Sequence, residues 1–181
     1  MIAISAVATA FVLSSPSILL AGNQPSANNA NSALNSWMIK GAYATYEGST
    51  NILSMTISFT AKMEIIDVNA THIQVQTDSN MSTPFGNTEN TTTTWVNKQD
   101  MTFQPEGLTL NSTISNAQVT IPGVGTRSCT EYQYQNQDIS ATYYVDSVAH
   151  WPVKMVMTSP MVNGQSYDMD ITLVQTNIPG I

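Results

Sequence analysis

The chain has 181 residues, enough for one domain with a sizeable core, and only 9% of them are charged, against about 25% in ordinary soluble domains. Asn, Gln, Ser and Thr fill 69 positions, so solubility rests on amides and hydroxyls. The net charge of −7, with four scattered Lys and one Arg, excludes nucleic acid and an anionic membrane surface as partners, since both need clustered cations.

An apolar fraction of 42%, much of it periodic, separates the chain from disordered polar sequences. Few ionisable groups predict a stability that varies weakly with pH. The one cysteine, Cys129, excludes an internal disulfide and a Cys-rich metal site, and reads as a small buried apolar side chain.

Residues 1–21, MIAISAVATAFVLSSPSILLA, hold 15 apolar residues and no charge. A secretory signal would carry a basic start and a small-x-small cleavage site, but there is no Lys or Arg and the site after Leu19-Leu20-Ala21 is poor. A membrane helix would be broken at Ser14-Ser15-Pro16-Ser17 and has no basic flank. Ile2, Ile4, Val7, Thr9, Phe11 and Val12 instead suit an extended strand buried on both faces, with Ala residues keeping one side thin. Residues 22–36, GNQPSANNANSALNS, form a polar, uncharged linker without a packing period.

From Trp37 to the end, strands follow one another in a head domain, residues 37–181. Trp37–Tyr46 is a first strand. In Leu53–Ile65 seven apolar residues alternate with six polar ones, a half-buried strand long enough to require a bulge or bend. Thr71–Thr77 returns after a turn at Asp67–Ala70. Asp78–Thr94 reads as a long polar loop. Shorter strands follow over Trp95–Phe103, Leu108–Ile114, Val119–Ile121, Ser128–Tyr134, Ile139–Val145, Trp151–Met157 and Tyr167–Val174, with turns at Pro105–Gly107 and Pro122–Gly125. Asn163-Gly164 is the strongest hairpin signal. Pro152 and Pro160 place Trp151–Met161 at a sheet edge or on a bulge. Eight to ten strands with regular turns predict a β-sandwich or jelly roll.

No HExxH, GxSxG, glycine-rich phosphate loop or spaced metal-ligand set occurs, so no catalytic or metal site is expected. His72 falls on the polar side of its strand. Asp168 and Asp170 read as the wet face of a strand whose other face carries Met169 and Ile171. Lys62, Lys98 or Lys154 could join an Asn side chain in an isopeptide link only if the fold brought them together. The ten methionines, such as Met55, Met63, Met155 and Met157, sit mostly at inward strand positions and read as core filler. Four N-x-[ST] sequons, at Asn69, Asn80, Asn90 and Asn111, fall at positions that read as exposed and are candidate N-glycan acceptors.

An apolar arm, a polar linker and a β-rich head without a catalytic constellation resemble a pilin of the donor-strand kind. The charge-poor, Asn/Ser/Thr-rich composition and the sequons make it similar to subunits of archaeal thread filaments, which share their architecture with chaperone–usher pilins. The resemblance runs from Ile2–Leu13 as arm to Trp37–Gln175 as head. It implies an Ig-like or pilin-like β-sandwich completed by an N-terminal donor strand. Ile2, Ile4, Ala6, Ala8, Ala10 and Val12 would enter a groove of the next subunit. Val7, Phe11 and Leu13 would face the other side. The groove would be flanked by Leu53–Ile65 or Met169–Leu173. The resemblance further implies a helical head-to-tail homopolymer of identical subunits on the cell surface, serving adhesion, cell–cell contact and biofilm. The mature chain would carry N-linked glycans, no other cofactor, no stable membrane insertion and no enzymatic activity. Two alternatives stand beside it: an archaeal type IV pilin or archaellin with an N-terminal core helix, and a membrane-anchored or secreted β-sandwich binding module.

Overall fold

The computed structural model describes residues 36–52, 55–98, 105, 107–137, 139–162 and 165–181. The arm and the linker lie outside these residues, apart from Ser36. Nine strands follow in order among the described residues: β1 (Tyr43–Ile52), β2 (Met55–Val68), β3 (His72–Thr83), β4 (Gly86–Asn97), β5 (Thr109–Ile121), β6 (Gly125–Gln135), β7 (Ser140–Asp146), β8 (Pro152–Val162) and β9 (Gln165–Thr176). The protein is all-β, and no helix occurs among the described residues.

The strands form one antiparallel sheet in the order β4-β3-β2-β1-β9-β8-β7-β6-β5. A sandwich or jelly roll would divide them between two sheets. The difference follows from the connections: within β1–β4 and within β5–β9 each strand pairs with its neighbour in sequence, and no long Greek-key return intervenes. The two meanders join where β1 meets β9, with Ala44 opposite Thr176 and Thr50 opposite Met169.

Alternation along the strands gives this sheet an apolar and a polar face. One row of directly opposed residues crosses it as Met81, Phe59, Gly48, Ile171, Met155 and Tyr143. The next row, on the other face, runs Asn80, Thr60, Glu47, Thr172, Lys154 and Tyr144. Gly48 is required in the first row, because a Cβ there would overlap the Phe59 ring and stand 2.7 Å from the Asp170 carbonyl oxygen.

The apolar face is buried because the sheet curls. In a flat sheet β5 and β9 would stand about 19 Å apart, four strand spacings. Instead a Cβ at Gly123, in the turn after β5, would lie 3.8 Å from the Val174 carbonyl oxygen of β9. Residues outside the strands fill the enclosed space. Trp37 packs edge-on against Trp151 with ring centroids 4.6 Å apart, and Met38, Ala42, Leu108, Ala149 and Ile178 join the same core. Trp151 Nε1 donates to the Tyr46 hydroxyl at 2.5 Å, which donates to the Pro152 carbonyl at 2.8 Å. Burial raises the Tyr46 phenol far above its ordinary value, the Trp151 hydrogen bond opposing this only in part. Each fully buried aromatic side chain contributes about 2–3 kcal/mol of transfer free energy.

Several sequence expectations change in detail. The first strand starts at Tyr43, and Trp37–Ala42 is a turn that sends Trp37, Met38 and Ala42 into the core while Ile39, Lys40 and Gly41 stay exposed. The bulge expected in the long second strand lies between Ile65 and Asp67. Asp78–Thr94 is no loop: its first part completes β3, Pro84-Phe85 forms a turn, and the rest belongs to β4. Five threonines, at 88 and 91–94, supply the β-propensity there without an apolar stripe. Leu108–Ile114 and Val119–Ile121 are parts of one strand, broken in register between Ile114 and Ala117. β8 is interior rather than an edge, and Pro152 and Pro160 are accommodated at register shifts opposite Tyr144/Val145 and between Ser159 and Val162. Val162 pairs with Gln165, and Asn163-Gly164, the hairpin signal, lies outside the described residues.

Candidate functional site

Among the described residues the sheet has two edges that a partner strand could join, β4 and β5. β2 lies between β1 and β3, and β9 between β1 and β8. A groove flanked by Leu53–Ile65 or Met169–Leu173 therefore has no free main chain to offer, because both strands are already paired on each side. The donor-strand residues Ile2, Ile4, Ala6, Val7, Ala8, Ala10, Phe11, Val12 and Leu13 lie outside the described residues.

β4 pairs with β3 without interruption, from His72 opposite Asn97 to Thr83 opposite Gly86. Its opposite margin meets no other strand among the described residues, and its only charge is Glu89. Natural edges are usually blunted by Lys, Pro or a bulge, and β4 has none of these. Trp95 is 45% exposed on β4, and Phe85 is 81% exposed at the β3–β4 turn. β5 is also uncharged, with Leu110 and Ile114 exposed, but its pairing with β6 shifts at Leu110/Ser112 and again at Ile114/Ala117. Asn116, inside the second shift, has a φ of 64°.

The sequons are distributed over the curled sheet. Asn69 lies in the β2–β3 turn, exposed, and its side-chain oxygen accepts from the amides of Thr71 at 2.9 Å and His72 at 2.7 Å. Asn80 is exposed in the polar row of β3. Asn90 differs from expectation: it lies opposite Ser79 on the inner face of β4 and is half-buried. Asn111 is exposed at the first register shift of β5. It borders an open depression of about 380 Å³ lined by Leu110, Gln135, Asn136 and Gln137.

The remaining candidates of the sequence resolve into structural roles. Lys62 pairs with Glu64 at 2.6 Å and Lys154 with Asp170 at 2.6 Å, while Lys98 donates to the Asn69 carbonyl. Asp168 accepts from Thr158 on the wet face of β9. Cys129 is fully buried, and burial, with help from Asp146 and against Arg127, pushes its thiol up to about 11. It is a protonated thiol at neutral pH, not a nucleophile. No group of three or more His, Cys, Asp or Glu residues is placed to hold a metal ion among the described residues. No helix among them is long and apolar enough to cross a membrane.

One cluster escaped the sequence reading. Asp146, 1% exposed, takes a hydrogen bond from Arg127 Nε at 2.7 Å and from the amides of Val148 at 2.8 Å and Ala149 at 2.7 Å. Arg127 also donates to the Gly180 carbonyl. Burial alone would raise the Asp146 carboxyl, but the guanidinium and the two amides outweigh it and hold it below its ordinary value. The cluster fixes the β7–β8 loop and the C-terminal tail, so its role is structural. The cavity against Trp37, Trp151, Met63 and Ile73 is about 10 Å³, no more than one water.

No family model matches the chain, and no curated protein does. Among solved structures it is similar to an exported protein with a YmcC-like fold from Bacteroides fragilis, at 9% identity and a TM-score of 0.44, over 77% of this chain and 96% of that one. It is also similar to an outer membrane lipoprotein-sorting protein domain from Vibrio parahaemolyticus, at 7% identity and a TM-score of 0.29, over 78% and 86%. A DUF1329 family protein from Desulfovibrio piger aligns at 6% identity and a TM-score of 0.27, over 78% and 87%. At such values the likeness has no bearing on function, which has to be read from this chain's own edges.

Proposed function

We propose that the protein is a structural, non-enzymatic subunit of an extracellular filament. The apolar arm Ile2–Leu13 of one copy adds as a strand to a free sheet edge of the next. The observation that carries this reading is the open ends of the sheet: two long, almost uncharged edge strands without Lys or Pro, in a chain that also carries an apolar, uncharged arm. Strand addition uses the unpaired main-chain groups of an edge for affinity and the alternating side chains for specificity. Burying five apolar arm residues contributes about 1.5 kcal/mol or more each, before ordering costs. A head-to-tail contact of this kind does not close on itself, so it propagates into a fibre. The sequons fit an outside location, where Asn69, Asn80 and Asn111 offer accessible acceptors for N-linked glycans. Adhesion, cell–cell contact and biofilm are the roles such a fibre would serve.

Electron microscopy of the full chain and of a variant lacking residues 1–13 tests the proposal. The full chain is expected to give fibres and the truncated chain a folded, non-polymerising head. Fibres from the truncated chain would overturn it.

A further inference from the structure

We propose that β4, and not β5, is the edge that receives the arm, taking Ile2–Leu13 of a second copy as a tenth strand; this rests on the filament reading above. Three observations separate the edges. β4 is a continuous run of 12 residues in unbroken register, whereas β5 is divided by two register shifts. β5 also carries Asn116 in the left-handed region, which turns its main chain out of the ladder direction, and bulges of this kind are a standard protection against strand addition. Finally, the turn after β5 packs near Val174 of β9, so the curl of the sheet brings that end of β5 toward its own molecule. Nothing comparable obstructs β4 among the described residues.

The occupant follows from what lies outside the described head. Residues 2–13 are 12 in number, matching Gly86–Asn97, and bring no charge to an edge whose only charge is Glu89. The two-residue connection Pro84-Phe85 closes on Thr83 and Gly86, a hydrogen-bonded pair in such hairpins. Alternation then turns the main-chain groups of Asn87, Glu89, Thr91, Thr93 and Trp95 away from β3, toward the incoming strand. A proline at Thr93 removes one outward N–H and leaves the β3–β4 ladder whole. Ser115, inside the register shift between Ile114 and Ala117, serves as the comparison position in β5.

The experiment compares full-length Thr93→Pro and Ser115→Pro chains by the amount of sedimentable polymer. Thr93→Pro is expected to lower it at least about tenfold, as the loss of one or two ladder hydrogen bonds implies, while Ser115→Pro leaves it unchanged. Circular dichroism of each variant confirms a folded head. A second measurement does not depend on proline tolerance: Thr93→Cys is paired in turn with Ala6→Cys, Ala8→Cys or Ala10→Cys and oxidised, with Cys129 remaining buried. A ladder of disulfide-linked multimers supports the assignment. A link confined to single chains overturns it, because the arm would then complete its own sheet. Loss of polymer with Ser115→Pro but not Thr93→Pro overturns the choice of β4 and leaves the filament standing. A wild-type chain that never polymerises overturns both.

Discussion

Asp146 accepts hydrogen bonds from Arg127, Val148 and Ala149 while almost fully buried, so replacing its charge leaves a guanidinium beside a neutral amide. The Arg127 side chain keeps 24% exposure and regains some hydration, which places the cost below that of a sealed pair. Asp146→Asn is expected to destabilise the head by about 2–3 kcal/mol in urea unfolding, with the midpoint falling and the slope unchanged. A change under 0.5 kcal/mol would show that the loop and tail hold without the charge. The cluster left no mark in the sequence. Arg127 and Asp146 belong to different strands, and only the pairing of Cys129 with Asp146 brings them together.

Among the elements, β2 was legible and β4 was not, for one physical reason. β2 is an interior strand with a core face, so its residues must alternate. β4 is an edge whose inner face carries Thr88, Asn90, Thr92 and Thr94 and becomes apolar only at Val96, and a strand with one apolar residue on its inner face has no period to read. Its signal was composition alone, the four consecutive threonines before Trp95. The edge proposed as the binding site was therefore the element that a search for hydrophobic patterning passes over. β5 offers a separate check. Asn116 tolerates its φ of 64° as Asn and Gly do, but a β-branched residue does not. Asn116→Gly is expected to change stability by less than about 0.5 kcal/mol and Asn116→Val to cost about 1–2 kcal/mol, measured by thermal unfolding. Equal values for the two would mean that the bulge relaxes freely.

At the scale of the whole molecule, the scarcity of ionisable groups sets the pH response. The Asp146 carboxyl is held below its ordinary value, so its contribution is present above about pH 4 and lost as the pH falls through the folded value. The Cys129 thiol is raised from 9.0 to about 11, so the stability linked to it is present below pH 9 and lost as the pH climbs toward 11. Burial raises Tyr46 and Tyr143 in the same direction, which steepens the alkaline fall above about pH 10. The expected melting temperature is flat from about pH 5 to 8.5, declining on both sides. Asp146→Asn should flatten the acid limb alone, and a sharp maximum near neutrality would contradict this account. The all-β class was legible because strand after strand alternates. The single sheet was not, because the pairing of β1 with β9 joins residues that no local pattern connects.

That pairing also has a consequence in time. Of the nine described strands β9 comes last in sequence, yet it lies at the middle of the sheet, between β1 and β8. Until it emerges from the ribosome, the chain can form two separate meanders, each exposing a margin that β9 will later cover. Strand pairing across most of the chain length places the protein among slow folders, because the long loop must close before its contacts reward it. Until β9 is made the two meanders stay unjoined, so the growing chain remains threadable up to that point.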